Sequence, residues 1–174
     1  MIPVLETNRL VLRGYRPADF ADYSARRADP SYARFLGDGT PSNEEQSWAS
    51  FLQIAGLWAV AGFGEWAVEE RQRRVLVGGV GFILRKRDRG EALKDVLEIG
   101  YGVATTFAGN GYTTEALNAA LAWGRNHLGA TRRCVAIIAP GNEPSVRIAV
   151  KCAFTRGLDI ISGGRPRMVY ERRL

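Results

Sequence analysis

Apolar and polar residues alternate, or run together, at strand spacing in seven short stretches of the chain. Residues 9–15 alternate like a half-buried strand. Residues 63–69, 75–84 and 96–103 are three further strand-like runs. Gln72-Arg73 and the charged run 85–95 would link them as hairpins. Residues 132–139 form a buried strand by pattern, and 154–161 and 167–172 supply the last two.

Between these lie four stretches with helical periodicity. Pro17 and Asp19 open the first, Phe20 and Tyr23 follow at helical spacing, and Asp29-Pro30 breaks it. Residues 37–41 (Gly-Asp-Gly-Thr-Pro) are a loop by turn chemistry. Ser42 or Asn43 then caps a second helix, whose stripe is Trp48, Phe51, Leu52, Ala55 and Trp58. The third runs over residues 112–128 with Thr113, Ala116, Leu117, Ala120, Leu121, Gly124 and Leu128 on its apolar face. The fourth covers 145–152, after the Pro140-Gly141 turn. This order predicts an α/β (α+β) fold. It is a mixed, mostly antiparallel sheet of seven strands flanked by about four helices, in a single domain over residues 1–174. Trp48, Trp58 and Trp66 are expected in the core.

Composition narrows the class. Of the 174 residues, 46% are hydrophobic and 24% charged, which is globular usage. Cys134 and Cys152, both in apolar surroundings, are too few for a disulfide framework and suit a reducing, cytoplasmic setting. The first residues lack the basic start and apolar run of a signal peptide, and no stretch approaches the ~20 apolar residues of a membrane span. The net charge of +6 attracts anions without saying which. The basic clusters at 71–74 and 85–89 fall at opposite ends of one predicted strand, which argues against a nucleic-acid groove. His127 is the sole histidine and no ligand cluster is visible, so histidine triads and zinc chemistry are not expected.

The chemistry concentrates in residues 97–121. A strand ends near Val103, a loop follows, and Gly109 and Gly111 stand at the start of a long helix. Glycine admits an anion to backbone N–H groups, and the helix start adds unpaired donors and a positive dipole end. The loop lacks the Gly-Lys-Ser/Thr of a P-loop, and Thr114 stands where a dinucleotide fingerprint has its third glycine.

Seven motifs occur in order: Arg9-Leu10-Val11-Leu12-Arg13, the run 34–41, Glu65-Trp66-Ala67-Val68, the run 77–82, Glu98-Ile99-Gly100-Tyr101, the run 109–116 and the run 140–145. Together they resemble the GNAT N-acetyltransferases, in particular the subgroup similar to bacterial ribosomal-protein N-terminal acetyltransferases. The resemblance implies acetyl-coenzyme A as cosubstrate, no metal, and a primary-amine acceptor on a protein N-terminus or a small molecule. A non-catalytic acyl-coenzyme A sensor, a basic RNA- or ribosome-contacting protein and an aminoglycoside-type acetyltransferase are the alternatives. A homodimer is left open.

The family's pyrophosphate loop falls on Ala108, Gly109, Asn110, Gly111, Tyr112 and Thr113, departing from the pattern at Ala108 and Thr113. Val103 and Ala104 occupy the place whose backbone pairs with the pantetheine arm. Asn142 is implied as a cofactor contact and Ser145 as a donor to the departing thiolate, since Ala149 stands where many relatives carry a tyrosine. Glu98 is the candidate general base, with Glu65 as runner-up and possible acceptor contact. Asp38 is implied at the acceptor amine, against the ordinary turn chemistry of Asp-Gly.

Overall fold

The computed structural model describes residues 1–84, 91–94 and 96–174. Its elements in chain order are β1 (Leu5–Glu6), β2 (Leu10–Arg13), α1 (Phe20–Ala28), α2 (Pro30–Ala33), α3 (Glu44–Ala61), β3 (Glu65–Glu70), β4 (Val75–Ile83), β5 (Leu97–Val103), α4 (Tyr112–His127), β6 (Arg133–Ile138), α5 (Glu143–Lys151), β7 (Thr155–Ser162) and β8 (Arg165–Arg173). The strands form one sheet in the order β1-β2-β3-β4-β5-β6-β8-β7. All neighbours are antiparallel except β5 and β6.

Eight strands stand where seven were expected. The extra one is the two-residue β1, too short to show a period in the sequence. The expected charged linker 85–95 lies largely outside the described residues.

Local chemistry accounts for the helix ends. Asn43 and Gln46 cap α3 reciprocally: Asn43 Oδ1 accepts from Gln46 N at 2.8 Å and Gln46 Oε1 accepts from Asn43 N at 3.0 Å. Gly62, at φ 72°, ends it in the left-handed conformation. Asp29 caps α2, its carboxylate accepting from Ser31 N.

Directly opposed residues in an antiparallel pair share a face of the sheet, which separates two environments. On one face, Trp66, Phe82, Ile99 and Cys134 join Leu117, Ala120, Leu121 and Trp123 of α4 and Ala149 of α5 in the main core. Trp58, Trp66 and Trp123 meet edge to face there, at 4.7–5.5 Å between centroids. Cys134 and Cys152 are both buried, and burial pushes the Cys134 thiol up to about 12, so it is inert at neutral pH. The second face carries α1, α2 and, beyond β6, a smaller cluster of Leu93, Val135 and Val169.

Trp48 corrects an expectation. It is 43% exposed and stacks on Phe51 at the outer side of α3. Among the described residues, no helix is long and apolar enough to cross a membrane.

Candidate active site

The sheet opens in its middle. β5 pairs with β4 from Glu98 to Val103. With β6 it pairs only at Leu97 and Glu98. β6 meanwhile continues alongside β8 as far as Ile138. The parallel pair therefore diverges beyond Glu98 and leaves a wedge. Ala104 N donates to Val77 O on the β4 side, so by alternation the C=O of Ile99 and the N–H and C=O of Tyr101 and Val103 point into the wedge. Residues 100–104 are all half-exposed, as a bare strand edge must be. Of the sequence-predicted pair, Val103 offers its backbone to the gap, whereas the Ala104 N–H is already spent.

At the open end of the wedge, the loop after β5 turns into α4. Gly109 and Gly111 sit at φ 83° and 77°, values that a side chain would resist. The first intrahelical bond is Glu115 N to Gly111 O, so the N–H groups of Tyr112, Thr113 and Thr114 have no partner one turn back. Ala108 N donates to Thr105 O and belongs to the loop's own turn. The Asn110 side chain folds back on Phe107 O and Ala108 O and braces the loop.

Sequence reasoning missed the brace from the other end of the chain. Arg9 Nη1 donates to Asn110 O at 2.9 Å, its guanidinium pairs with Glu115 at 2.7 Å and lies 4.9 Å from the Tyr112 ring. Thr7 Oγ1 and Arg9 N also donate to Glu115, which lowers the Glu115 carboxyl below its ordinary value despite partial burial. Arg73, from the β3–β4 turn, covers Phe107 at 5.5 Å. The loop has no cation of its own, and tertiary structure brings two to it.

Asn142 and Ser145 stand at the tip of α5, beside the wedge. Asn142 Oδ1 accepts from Ser145 N at 3.3 Å, which makes Asn142 the N-cap and Ser145 a first-turn residue. The Tyr101 hydroxyl reaches across and donates to Ser145 O at 2.9 Å. Burial raises the Tyr101 phenol well above its ordinary value, so it stays a neutral donor. Ala149 is fully buried one turn on, with no polar group to offer.

Glu98 faces the other way. It is opposed to Val135, on the α1/α2 face, and is 6% exposed at the closed end of the wedge. Ser145 and Glu98 thus lie on opposite faces of the sheet, and the wedge is where those faces meet. On the Glu98 face β4 and β5 present Gly79, Gly81, Gly100 and Gly102 in two opposed rows. A Cβ at Gly79 would strike Glu65 and Tyr15, and one at Gly102 would lie 2.7 Å from the Tyr32 hydroxyl. Polar side chains therefore rest directly on the strand backbone. Tyr15 donates to Glu65 Oε1 at 2.7 Å, and burial followed by the Glu65 charge raises the Tyr15 phenol far above its usual range. Arg26 lies behind this pair.

Asp38 sits apart from the wedge. Its Oδ1 accepts from Thr40 N at 3.0 Å and Thr40 Oγ1 at 2.6 Å, and those donors hold its carboxyl below the ordinary value. The Asp38 loop touches the β7–β8 turn, where Arg167 Nη2 donates to Gly37 O at 2.6 Å. The structure thus brings Glu98, Val103, the 109–114 backbone, Asn142 and Ser145 to one wedge, with Glu65 on its floor, and leaves Asp38 outside it.

Residues 9–155 match the model of the acetyltransferase (GNAT) domain. The chain belongs to the GNAT acetyltransferase family. This GNAT chain is 28% identical over 158 residues to the uncharacterized N-acetyltransferase YoaA of Bacillus subtilis, covering 90% of this chain and 85% of that one. Among solved structures, a protein assigned to the GNAT family from Bordetella pertussis superposes with a TM-score of 0.83 at 28% identity. The match covers 98% of this chain and 99% of the other. An acetyltransferase from Agrobacterium tumefaciens gives a TM-score of 0.85 at 25% identity, over 100% and 96% of the two chains.

Besides Thr7, Arg9 and Arg73, the sequence left Tyr15, Arg26, Tyr32 and Tyr101 without a role. The Gly100-Tyr101-Gly102 run was the one local signal, since an aromatic between two glycines on a strand has open space around it.

Proposed function

We propose that this GNAT domain transfers the acetyl group of acetyl-coenzyme A directly to a primary amine, and that the amine enters from the Glu98 face. The observation that carries this reading is the wedge, with a backbone anion cradle at its open end and a buried carboxylate at its closed end. The family is one in which a solved relative, RimL, a ribosomal L7/L12 α-N-protein acetyltransferase, holds coenzyme A. That protein shares only 15% identity and supports the fold alone.

The residues of this chain fit the cosubstrate. The N–H groups at the start of α4 receive the pyrophosphate, the glycines at 109 and 111 allow it to approach, and the half-exposed edge of β5 pairs with the extended arm. The wedge-facing N–H groups near Val103 stabilise the oxyanion as it forms, in a site that needs no reorganisation. Glu98 takes the ammonium proton, directly or through one water. Ser145 donates to the sulfur as it leaves, and Tyr101 and Asn142 hold the helix tip that carries it. Acetyl-coenzyme A supplies the activated thioester. An α-amine of pKa ~8 needs far less help from a base than a lysine amine at ~10.4, which favours α-amine acceptors for a single carboxylate base.

An acceptor screen with acetyl-coenzyme A, reading thiol release across peptides, antibiotics and polyamines, tests the reading. Tight acetyl-coenzyme A binding with no transfer to any amine would favour an acyl-coenzyme A sensor instead. Ser145→Ala is expected to lower kcat about tenfold or more with little change in acetyl-coenzyme A affinity. Parallel loss of affinity and rate would assign Ser145 to structure.

A further inference from the structure

The two faces of β5 differ where the wedge opens. Toward the Glu98 face the strand carries Gly100 and Gly102, and toward the α4 and α5 face it carries Ile99, Tyr101 and Val103. Ile99 is buried in the main core, and Tyr101 and Val103 pack against it half-exposed. Tyr101 starts on one arm of the wedge. Its hydroxyl ends on α5, the helix that follows the other arm, β6, and donates there to Ser145 O at 2.9 Å. The phenol ring therefore spans the gap on the Ser145 face.

The ring is anchored at its far end. Burial, with Cys152 and Tyr170 close by, keeps the phenol protonated, so its hydroxyl stays a donor at neutral pH. The buried residues on the other side of the gap are small. Ala136 of β6, Ala149 of α5 and Cys152 just after it are at most 2% exposed, and they leave the filling of the gap to the phenol.

In the acyl-transfer reading, the pantetheine arm enters beside the loop before α4 and follows β5 inward, so the acyl group goes deepest. The N–H groups that can meet its carbonyl are those of Val103 and then Tyr101, since both point into the wedge. Carbons beyond that carbonyl lie beside the Tyr101 side chain. Ahead of them the wedge closes, because β5 and β6 pair at Leu97 and Glu98.

We propose that Tyr101 sets the length of acyl group this chain accepts, admitting acetyl and excluding butyryl and longer chains. The bond to Ser145 O keeps the ring from swinging aside, so it acts as a fixed stop. Its removal opens a space bordered by buried apolar side chains, which receives an apolar chain readily. The inference rests on the acyl-transfer reading and names the donor specificity of the same site.

Two readouts on the full chain test it. The first is calorimetry with acetyl-, butyryl- and hexanoyl-coenzyme A in the absence of any amine. The second is kcat/KM for the same donors with one common acceptor. A methylene too many in a shaped pocket is worth about 10–200-fold, so the wild type should prefer acetyl over butyryl by at least about tenfold in kcat/KM. Hexanoyl-coenzyme A should also bind it more weakly than acetyl-coenzyme A. Tyr101→Ala should shrink both preferences by about tenfold. Tyr101→Leu should shrink them less, and it carries the test if the alanine variant does not fold. Tyr101→Phe keeps the ring and should retain most of the preference; complete loss there would overturn a steric stop. A wild type that binds and transfers hexanoyl as well as acetyl would overturn the proposal outright. So would Tyr101→Ala or Tyr101→Leu that lose activity with all three donors alike, the result a purely structural role gives. If the wild type transfers no acyl group to any amine, the transfer reading falls, while the calorimetric ratios still decide the role of Tyr101.

Discussion

Replacing Arg13 with leucine is expected to destabilise the fold by about 3–5 kcal/mol, one of the largest single losses available in this chain. Arg13 is buried between two buried carboxylates. Its Nη1 and Nη2 donate to the two oxygens of Asp19 at 2.7 and 2.8 Å, and its Nε donates to Glu69 at 2.8 Å. Removing the cation strands two charges that water cannot reach. Asp19 also accepts from Arg16 N at 2.7 Å and so starts the turn into α1, which ties the loss to the acceptor face of the site. Urea unfolding of the variant should show a lower midpoint, and its Tm should fall by roughly 10 °C for a chain of this size. Arg13→Lys, which keeps the charge but not the two-pronged fork, should fall between the two.

The same triad sets an acid limit. Burial alone would raise the Asp19 carboxyl, but Arg13 and the Arg16 N–H outweigh it and hold it below its ordinary value. A carboxylate depressed in the folded state stabilises the fold at pH above its unfolded value of ~3.9, and loses that contribution as pH falls through the folded value. Wild-type stability should therefore decline below about pH 4. The gap between wild type and Arg13→Leu should narrow there, because protonation relieves the stranded carboxylates. A gap that stays constant from pH 7 to pH 3 would remove the triad from the acid response.

The largest functional effect is expected at Glu98. Glu98→Gln keeps the shape of a buried strand residue at the closed end of the wedge and removes its capacity to take a proton. A positioned general base is worth about 10²–10⁴ in rate, and kcat should drop by that order with acetyl-coenzyme A affinity intact. The loss should be greatest below the pKa of the acceptor amine, where the proton must be removed, and should diminish above it. An unchanged pH–rate profile in the variant would take Glu98 out of the mechanism. Glu65→Gln, on the neighbouring strand, should act mainly on KM for the acceptor if its role is to hold rather than to deprotonate.

Much of this protein is written locally. Seven of the eight strands show their alternation or apolar runs. The α3 cap is visible as Asn43 followed by Gln46, and the face of α4 is visible as a stripe from Thr113 to Gly124. Gly109 and Gly111 announce an anion loop because positive φ and helix-start donors follow from a few consecutive residues. Two-residue β1 and exposed Trp48 escape that logic. The first is shorter than any period, and the second belongs to a helix apolar nearly all round, whose buried side only packing can choose.

By itself, then, the sequence determined the elements, their order and the glycine loop at the start of α4, since each depends on contacts within a turn or a strand. Only the tertiary structure decided where the sheet opens, because β5 parts from β6 through the register of strands more than thirty residues apart in sequence. It alone placed Glu98 and Ser145 on opposite faces of one gap, carried Arg9 across 101 residues to the loop before α4, and gathered Tyr15, Tyr32 and Glu65 on a floor of glycine. Those distances are set by the pleat and pairing of the whole sheet, and no local pattern of residues carries that information.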